Sequence, residues 1–245
     1  MIVYHFDGTP NGILCCVFRA FTKKEDVSAI FSTYYEPDLT TVVYDVETDA
    51  LIARRVRRGI VKRCGITLLN ALFFAMRSYD YSKEYVIFAI ICRSLKESKN
   101  VLSDYAYPPS AMHYDLCRAI RHEAHRMLGF IRFFECAGGG LYAPFEPDNN
   151  VLSLIAPHFA KRLKNEKFIL HDVKRNLVAA YDGKLLKFAT VQGRPTVYLS
   201  ADQVSFSNLW KTYFDAVTIK PRLNKKVQAN FLPHRYRRYM PEFNN

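Results

Sequence analysis

The sequence predicts an α+β protein, in which a mainly antiparallel sheet packs with a block of helices and a basic helical tail closes the chain. Three observations carry this. β-forming runs lie towards both ends of the chain, whereas residues 49–128 read as helices with little interruption. Hydrophobic residues make up 49% and charged ones 24%, enough apolar material for a packed core. No internal repeat or low-complexity tract breaks the pattern. The whole chain, 1–245, reads as a single domain, with 204–245 a basic aromatic C-terminal segment.

"IVYHFD" (2–7) alternates and is rich in β-formers, which predicts a strand. Gly8 and Pro10 turn the chain into the helix "NGILCCVFRAFTKK", with apolar positions three and four apart. "TTVVYDVE" predicts a second strand. "TDALIARRVRRGIVKRC" then starts a helix on a Thr or Asp cap and carries arginines at 54, 55, 57 and 58. "TLLNALFFAMRSY" and "SKEYVIFAIICRSLKE" predict two apolar helices, the second buried. The 100–110 stretch, with Pro108 and Pro109, predicts a connection, and "SAMHYDLCRAIRHEAHRML" a helix closed by Gly129. "FIRFFEC", three glycines and "LYAPFEP" predict a hairpin. "NNVLSLIAPHFAKRLKN" predicts an Asn-capped helix that Pro157 kinks or divides. A meander with turns at 174–176 and 182–183 and the segment "FSNLWKTYFDAVTI" follow.

The net charge of +12 and pI near 9.4 favour association with nucleic acid or an anionic surface. The N-terminus lacks the basic-then-apolar pattern of a signal peptide. The most apolar run, from Tyr85, meets Arg93 far short of the roughly 20 residues a membrane span needs. The six cysteines form no CxxC pair, and Cys15, Cys16, Cys92 and Cys117 sit in apolar helical patterns. A cytoplasmic, reduced protein with no membrane partner is the expectation.

His122-Glu123-Ala124-His125 is one residue short of the zinc motif His-Glu-x-x-His. The two histidines lie about 60° apart on a helix and can face one metal. Zinc needs three or four protein ligands, and no spacing links His158, His171 or Asp172 to the pair, so no metal site is expected. The same helix carries Arg118, Arg121, His122, His125 and Arg126, with Arg132 just beyond it. This stripe suits successive phosphates, which the planar fork of Arg grips in pairs. The plainer alternative is a solvated face on which Glu123 pairs with Arg126.

From Lys211 to Glu242, eight basic residues (Lys211, Lys220, Arg222, Lys225, Lys226, Arg235, Arg237, Arg238) face two acids, Asp215 and Glu242, a net charge of +6. Aromatic residues alternate with them, as in surfaces that grip a backbone and stack on unpaired bases. Trp210, Phe214 and Phe231 are expected to anchor the segment. Lys225, Lys226, Arg235, Tyr236, Arg237 and Arg238 are the binding candidates. In "FEPDNN", Glu146 and Asp148 can hold a divalent cation, but Asp148, Asn149 and Asn150 read more simply as turn and cap residues. For catalysis the candidates are Glu123, His125 and Asp172. No phosphate-binding Gly-rich loop, nucleophile elbow, iron–sulfur spacing or deaminase signature occurs, and no cofactor is expected.

Four blocks together resemble a known family: "YHFDGTPNGILCCVFRAF", "EAHRMLGFIRF", "EPDNNVLSLIAPHFAKRL" and "LWKTYFDAVTIKPRLNKKVQANFLPHRYRRYMPE". The chain is similar, from about Ile2 to Glu242, to a bacterial family assigned to DNA metabolism or DNA repair. In that family a domain of unknown function stands alone or precedes a uracil-DNA-glycosylase-like domain, often encoded beside a radical-SAM DNA modification or repair protein. The resemblance implies a DNA-binding accessory protein in DNA repair or base modification, with a radical-SAM or glycosylase partner supplying the chemistry. Two alternatives stand beside it. One is a metal-dependent nucleic-acid hydrolase using His122, Glu123, His125, Asp148 and Asp172; the other is a protein-interaction scaffold.

Overall fold

The computed structural model describes residues 1–33, 36–192, 198, 200, 202–219, 221 and 224–243, without the side chains of 204–206 and 215. Lys220, Arg222 and the side chain of Asp215, counted in the basic C-terminal segment, therefore lie outside the described residues. The chain folds as two compact units, Met1–Arg121 and His122–Asn245. The α+β class holds.

In the first unit a parallel sheet has the order β2-β1-β3, formed by β1 (Ile2–His5), β2 (Val27–Phe31) and β3 (Val42–Asp45). β2 falls in a stretch with no clear strand signal, and it is held by pairing with β1. The helices are α1 (Pro10–Lys23), α2 (Ala50–Cys64), α3 (Ile66–Ala75), α4 (Ser82–Glu97) and the first part of α5 (Pro108–Phe130). α1 starts on Pro10, and the Thr9 hydroxyl accepts from Gly12 N–H at 3.0 Å. The Asp49 carboxylate caps α2 by accepting from Leu51 and Ile52 N–H at 2.7 and 3.0 Å. Ala53, Val56, Ile60 and Cys64 bury one stripe of α2 and leave its arginines outside. α4 is the centre of this core: Val86, Ile87, Ile90 and Ile91 are fully buried, each contributing about 1.5–3 kcal/mol through burial.

Pro108 and Pro109 open α5 instead of forming a connection, because the first helical turn has no N–H to lose there. Gly129 does not end the helix, which runs on to Phe130. None of the cysteines is in a disulfide, and burial raises the thiol of each, that of Cys92 to about 12.

The second unit holds a five-stranded sheet in sequence order, from β4 (Phe134–Glu135) and β5 (Leu141–Phe145) through β6 (Phe168–Asp172), β7 (Leu177–Tyr181) and β8 (Leu186–Thr190). Only β5 and β6 run parallel, joined by α6 (Leu152–Arg162); the other neighbours are antiparallel. The expected first hairpin strand shrinks to two residues. Phe133 instead packs its ring 5.2 Å from Phe159 and 5.8 Å from Phe168. Gly139 and Gly140 turn the hairpin at φ +79 and +85, where a side chain would be strained.

Pro157 lies inside α6 without dividing it. No side chain caps α6, whose cap residue is Val151, so the Asn-cap expectation is corrected. α7 (Gln203–Val217), α8 (Lys225–Phe231) and two 3-10 helices, His234–Tyr239 and Pro241–Phe243, complete the unit. Among the described residues no helix is long and apolar enough to cross a membrane.

Candidate nucleic-acid interface

Glu123 organises the second unit. It sits on α5, is only 5% exposed, and accepts hydrogen bonds from Asp148 N–H (2.7 Å), Asn149 N–H (2.7 Å), Asn149 Nδ2 (2.6 Å) and Tyr236 Oη (2.7 Å). Asp148 and Asn149 are therefore held by Glu123 rather than capping a helix. Tyr236 also packs its ring 5.8 Å from Phe130. Burial, reinforced by the Glu123 carboxylate, pushes the Tyr236 phenol well above its ordinary range. Glu123 is thus a buried clamp between α5, the 146–149 loop and the C-terminal segment. The expected surface pair with Arg126 does not form, and all the clamp's bonds are structural.

Two cations of the C-terminal segment, Arg235 and Arg238, meet acids of the same unit, as does Arg132. Arg235 lies 3.0 Å from Asp148, Arg238 2.9 Å from Glu146, and Arg132 2.6 Å from Glu242. Tyr239 donates to Glu146 at 2.7 Å, and burial followed by that carboxylate raises its phenol to about 12. Arg237 donates to the Leu232 carbonyl at 3.0 Å and lies over the Phe243 ring. Of the basic stripe, Arg132 meets the tail through Glu242, and Arg132, Arg235 and Arg238 each end on an acid of this unit. Lys225 and Lys226 are exposed on α8.

The aromatic anchors divide. Phe214 packs 5.8 Å from Phe243, and Trp210 donates to Glu242 at 3.1 Å, whereas Phe231 is 73% exposed. On α5, Arg118 pairs loosely with Asp115 at 3.6 Å and Arg121 lies 4.9 Å over Phe74, both within the first unit. His122, His125 and Arg126 are exposed in the second.

The catalytic candidates do not assemble. Asp172 is fully buried on β6 and meets Arg175 at 3.0 Å; burial raises its carboxyl and Arg175 opposes the shift. Neighbouring His171 bonds Tyr142 at 2.7 Å. Among the described residues no three His, Cys, Asp or Glu side chains gather in a way that could hold a metal ion.

The surface that sequence reasoning passed over is α2. Between Ala50 and Cys64 it carries Arg54, Arg55, Arg57, Arg58, Lys62 and Arg63 and no acid. All six are exposed, and among the described residues none has an acidic partner. Arg55 lies over Phe18 and Arg57 over Phe73, and Arg57 also donates to Asn11 at 3.1 Å. Arg54, Arg58 and Lys62 recur every fourth residue, about 6 Å apart along the helix. The signal is legible in the sequence as an acid-free basic helix, "RRVRRGIVKR".

A family model described as Domain of unknown function (DUF4130) matches residues 81–242, about two-thirds of the chain. The chain belongs to this family. The DUF4130 span runs from α4 to the second 3-10 helix, so it includes Glu123, its loop and the C-terminal segment. The parallel sheet and α2 precede it. No curated protein and no solved structure matches the sequence.

Proposed function

We propose that this protein binds nucleic acid through its phosphate backbone, as the non-catalytic component of a DNA repair or base-modification system. The chemistry is assigned to a partner, the radical-SAM or glycosylase protein that the family resemblance implies. The observation that carries the reading is the acid-free face of α2, where six exposed cations face solvent. Phosphates release counterions when such residues neutralise them, and binding then weakens steeply with salt. In the second unit Arg126 adds one exposed cation, beside the exposed imidazole of His125. The paired arginines of the C-terminal segment serve mainly to hold it in place.

The test is fluorescence anisotropy with single-stranded and duplex DNA, and RNA as control, across a salt series. The reading expects log affinity to fall linearly with log salt, and the slope to flatten in the variant Arg54→Ala/Arg58→Ala/Lys62→Ala. Equal slopes in the two proteins would remove α2 from the interface. Absence of binding at low salt would reject the reading and favour an acidic protein partner for the same face.

A further inference from the structure

The second unit contains a cavity of about 500 Å³ lined by Arg132, Phe133, Phe134, Glu135, Gln203 and Trp210, among others. That volume lies within the range of small-ligand sites. Its walls are fixed in advance. The Glu242 side chain, 2% exposed, accepts from Arg132 through Nη2 (2.6 Å) and Nε (3.1 Å), and from Trp210 Nε1 at 3.1 Å. Arg132 Nη1 donates to the Gly129 carbonyl at 2.7 Å, so every nitrogen of this guanidinium already has an acceptor. Arg132 thus has neither free charge nor a free donor fork for a phosphate. It lies 5.7 Å over the Trp210 ring and steadies it, while the ring stays 39% exposed.

The hydrogen-bonding edge of the cavity is equally constrained. Gln203 is occupied at both ends: its Oε1 accepts from Glu135 N–H at 2.6 Å and its Nε2 donates to Ser207 at 3.2 Å. The Glu135 carbonyl accepts from Ser200 N–H at 2.9 Å, so the main chain of Glu135 is pinned on both sides. Its carboxylate is exposed and has one long contact, 3.4 Å from Ser200 Oγ. The cavity therefore combines a partly exposed indole, which also packs 5.8 Å from the Tyr213 ring, a neutralised arginine and one spare acceptor. A phosphate finds no donor among these groups. A planar ring bearing an N–H donor finds both a stacking surface and a partner.

We infer that this cavity receives one unpaired nucleobase carrying an exocyclic amino group, stacked on Trp210 and donating to Glu135. Carboxylates accept from the amino group of cytosine in this way, and stacking on aromatic side chains tolerates any base. Glu135 is then the residue that discriminates cytosine and adenine from thymine. This inference rests on the nucleic-acid reading above and adds to it a second contact of different chemistry.

Trp210 is the only tryptophan of the chain, so its emission reports on the cavity directly. Oligo-dC, oligo-dA and oligo-dT of one length are titrated at fixed salt, and each is followed by Trp210 emission and, with a labelled strand, by anisotropy. The expected result is quenching by oligo-dC and oligo-dA, with affinity roughly 5- to 100-fold above oligo-dT. Glu135→Ala, checked for an unchanged melting curve, should erase that preference and keep the salt slope. Trp210→Phe should lower affinity for all three strands without altering the slope, whereas the α2 variant should alter the slope and keep the preference. Salt-dependent anisotropy with unchanged Trp210 emission and no preference lost in Glu135→Ala overturns this inference alone. No anisotropy change at low salt overturns the binding reading and this inference with it.

Discussion

Among the described residues, six cations of α2 in the first unit face no acid, whereas in the C-terminal segment of the second unit Arg235 and Arg238 each end on a carboxylate. By net charge the two are equal, +6 each; by partners the C-terminal segment is the weaker anion-binding candidate. An arginine already hydrogen-bonded to an acid has its donors engaged and its field largely cancelled beyond the pair. Such a residue anchors a segment, and a phosphate must displace the acid to reach it. On α2 the buried stripe of Ala53, Val56, Ile60 and Cys64 sets the helix orientation, and the cations stay available.

The largest effect should come from breaking what holds the paired side together. Glu123→Ala leaves two backbone N–H groups, the Asn149 amide and the Tyr236 hydroxyl without their acceptor. Denaturant unfolding should show a loss of about 3–5 kcal/mol, and amide exchange should rise across 234–243. Unaltered protection of that segment would mean that Glu123 does not clamp it.

Next in size is the unpaired side. The variant Arg54→Ala/Arg58→Ala/Lys62→Ala should weaken DNA binding on the order of 10²-fold at 0.1 M salt and reduce the slope by roughly 2.7, with little loss of stability. The matching change in the tail, Arg235→Ala/Arg237→Ala/Arg238→Ala, sharpens the comparison. Its salt slope should change by less than about 1, while stability falls by about 1–2 kcal/mol as half-exposed pairs are lost. A larger slope change than that of the α2 variant would reverse the assignment of the two surfaces.

The smallest effect is a pH dependence present in both units. Burial lowers the pKa of His113 in the first unit and His171 in the second below the ordinary value of about 6.5. A depressed histidine pKa means that the unfolded chain binds the proton more readily, so stability is intact above pH 6.5 and declines below it. Urea midpoints should fall between pH 7.5 and 5.5, and His171→Phe should remove part of that fall. An identical pH profile in the variant would place the titration elsewhere.

The elements with long, regular periodicity were legible. α2 carried its Asp49 cap and four buried positions on one stripe, and α4 its unbroken apolar core; both lie close to where the pattern placed them. β2 was not legible, because "VSAIF" is short and interrupted by Ser28, and its strand pairing comes from β1. The first strand of the hairpin was overread for the opposite reason. "FIRFFEC" has strand composition throughout, but Phe133 is used to fill the space beside Phe159 and Phe168.

The candidate site divides in the same way. By itself the sequence determined which residues are cationic, that a helix with one apolar stripe must show its arginines to solvent, and that the chain carries an excess of positive charge. Tertiary structure alone decided which of those charges remain available. Glu123 and Tyr236 are 113 residues apart in the chain and hydrogen-bonded in the fold, as are Arg132 and Glu242 across 110 residues. Charge is a property of a residue and can be counted along a chain. Neutralisation depends on the distance between two residues and on the medium between them, and folding sets both.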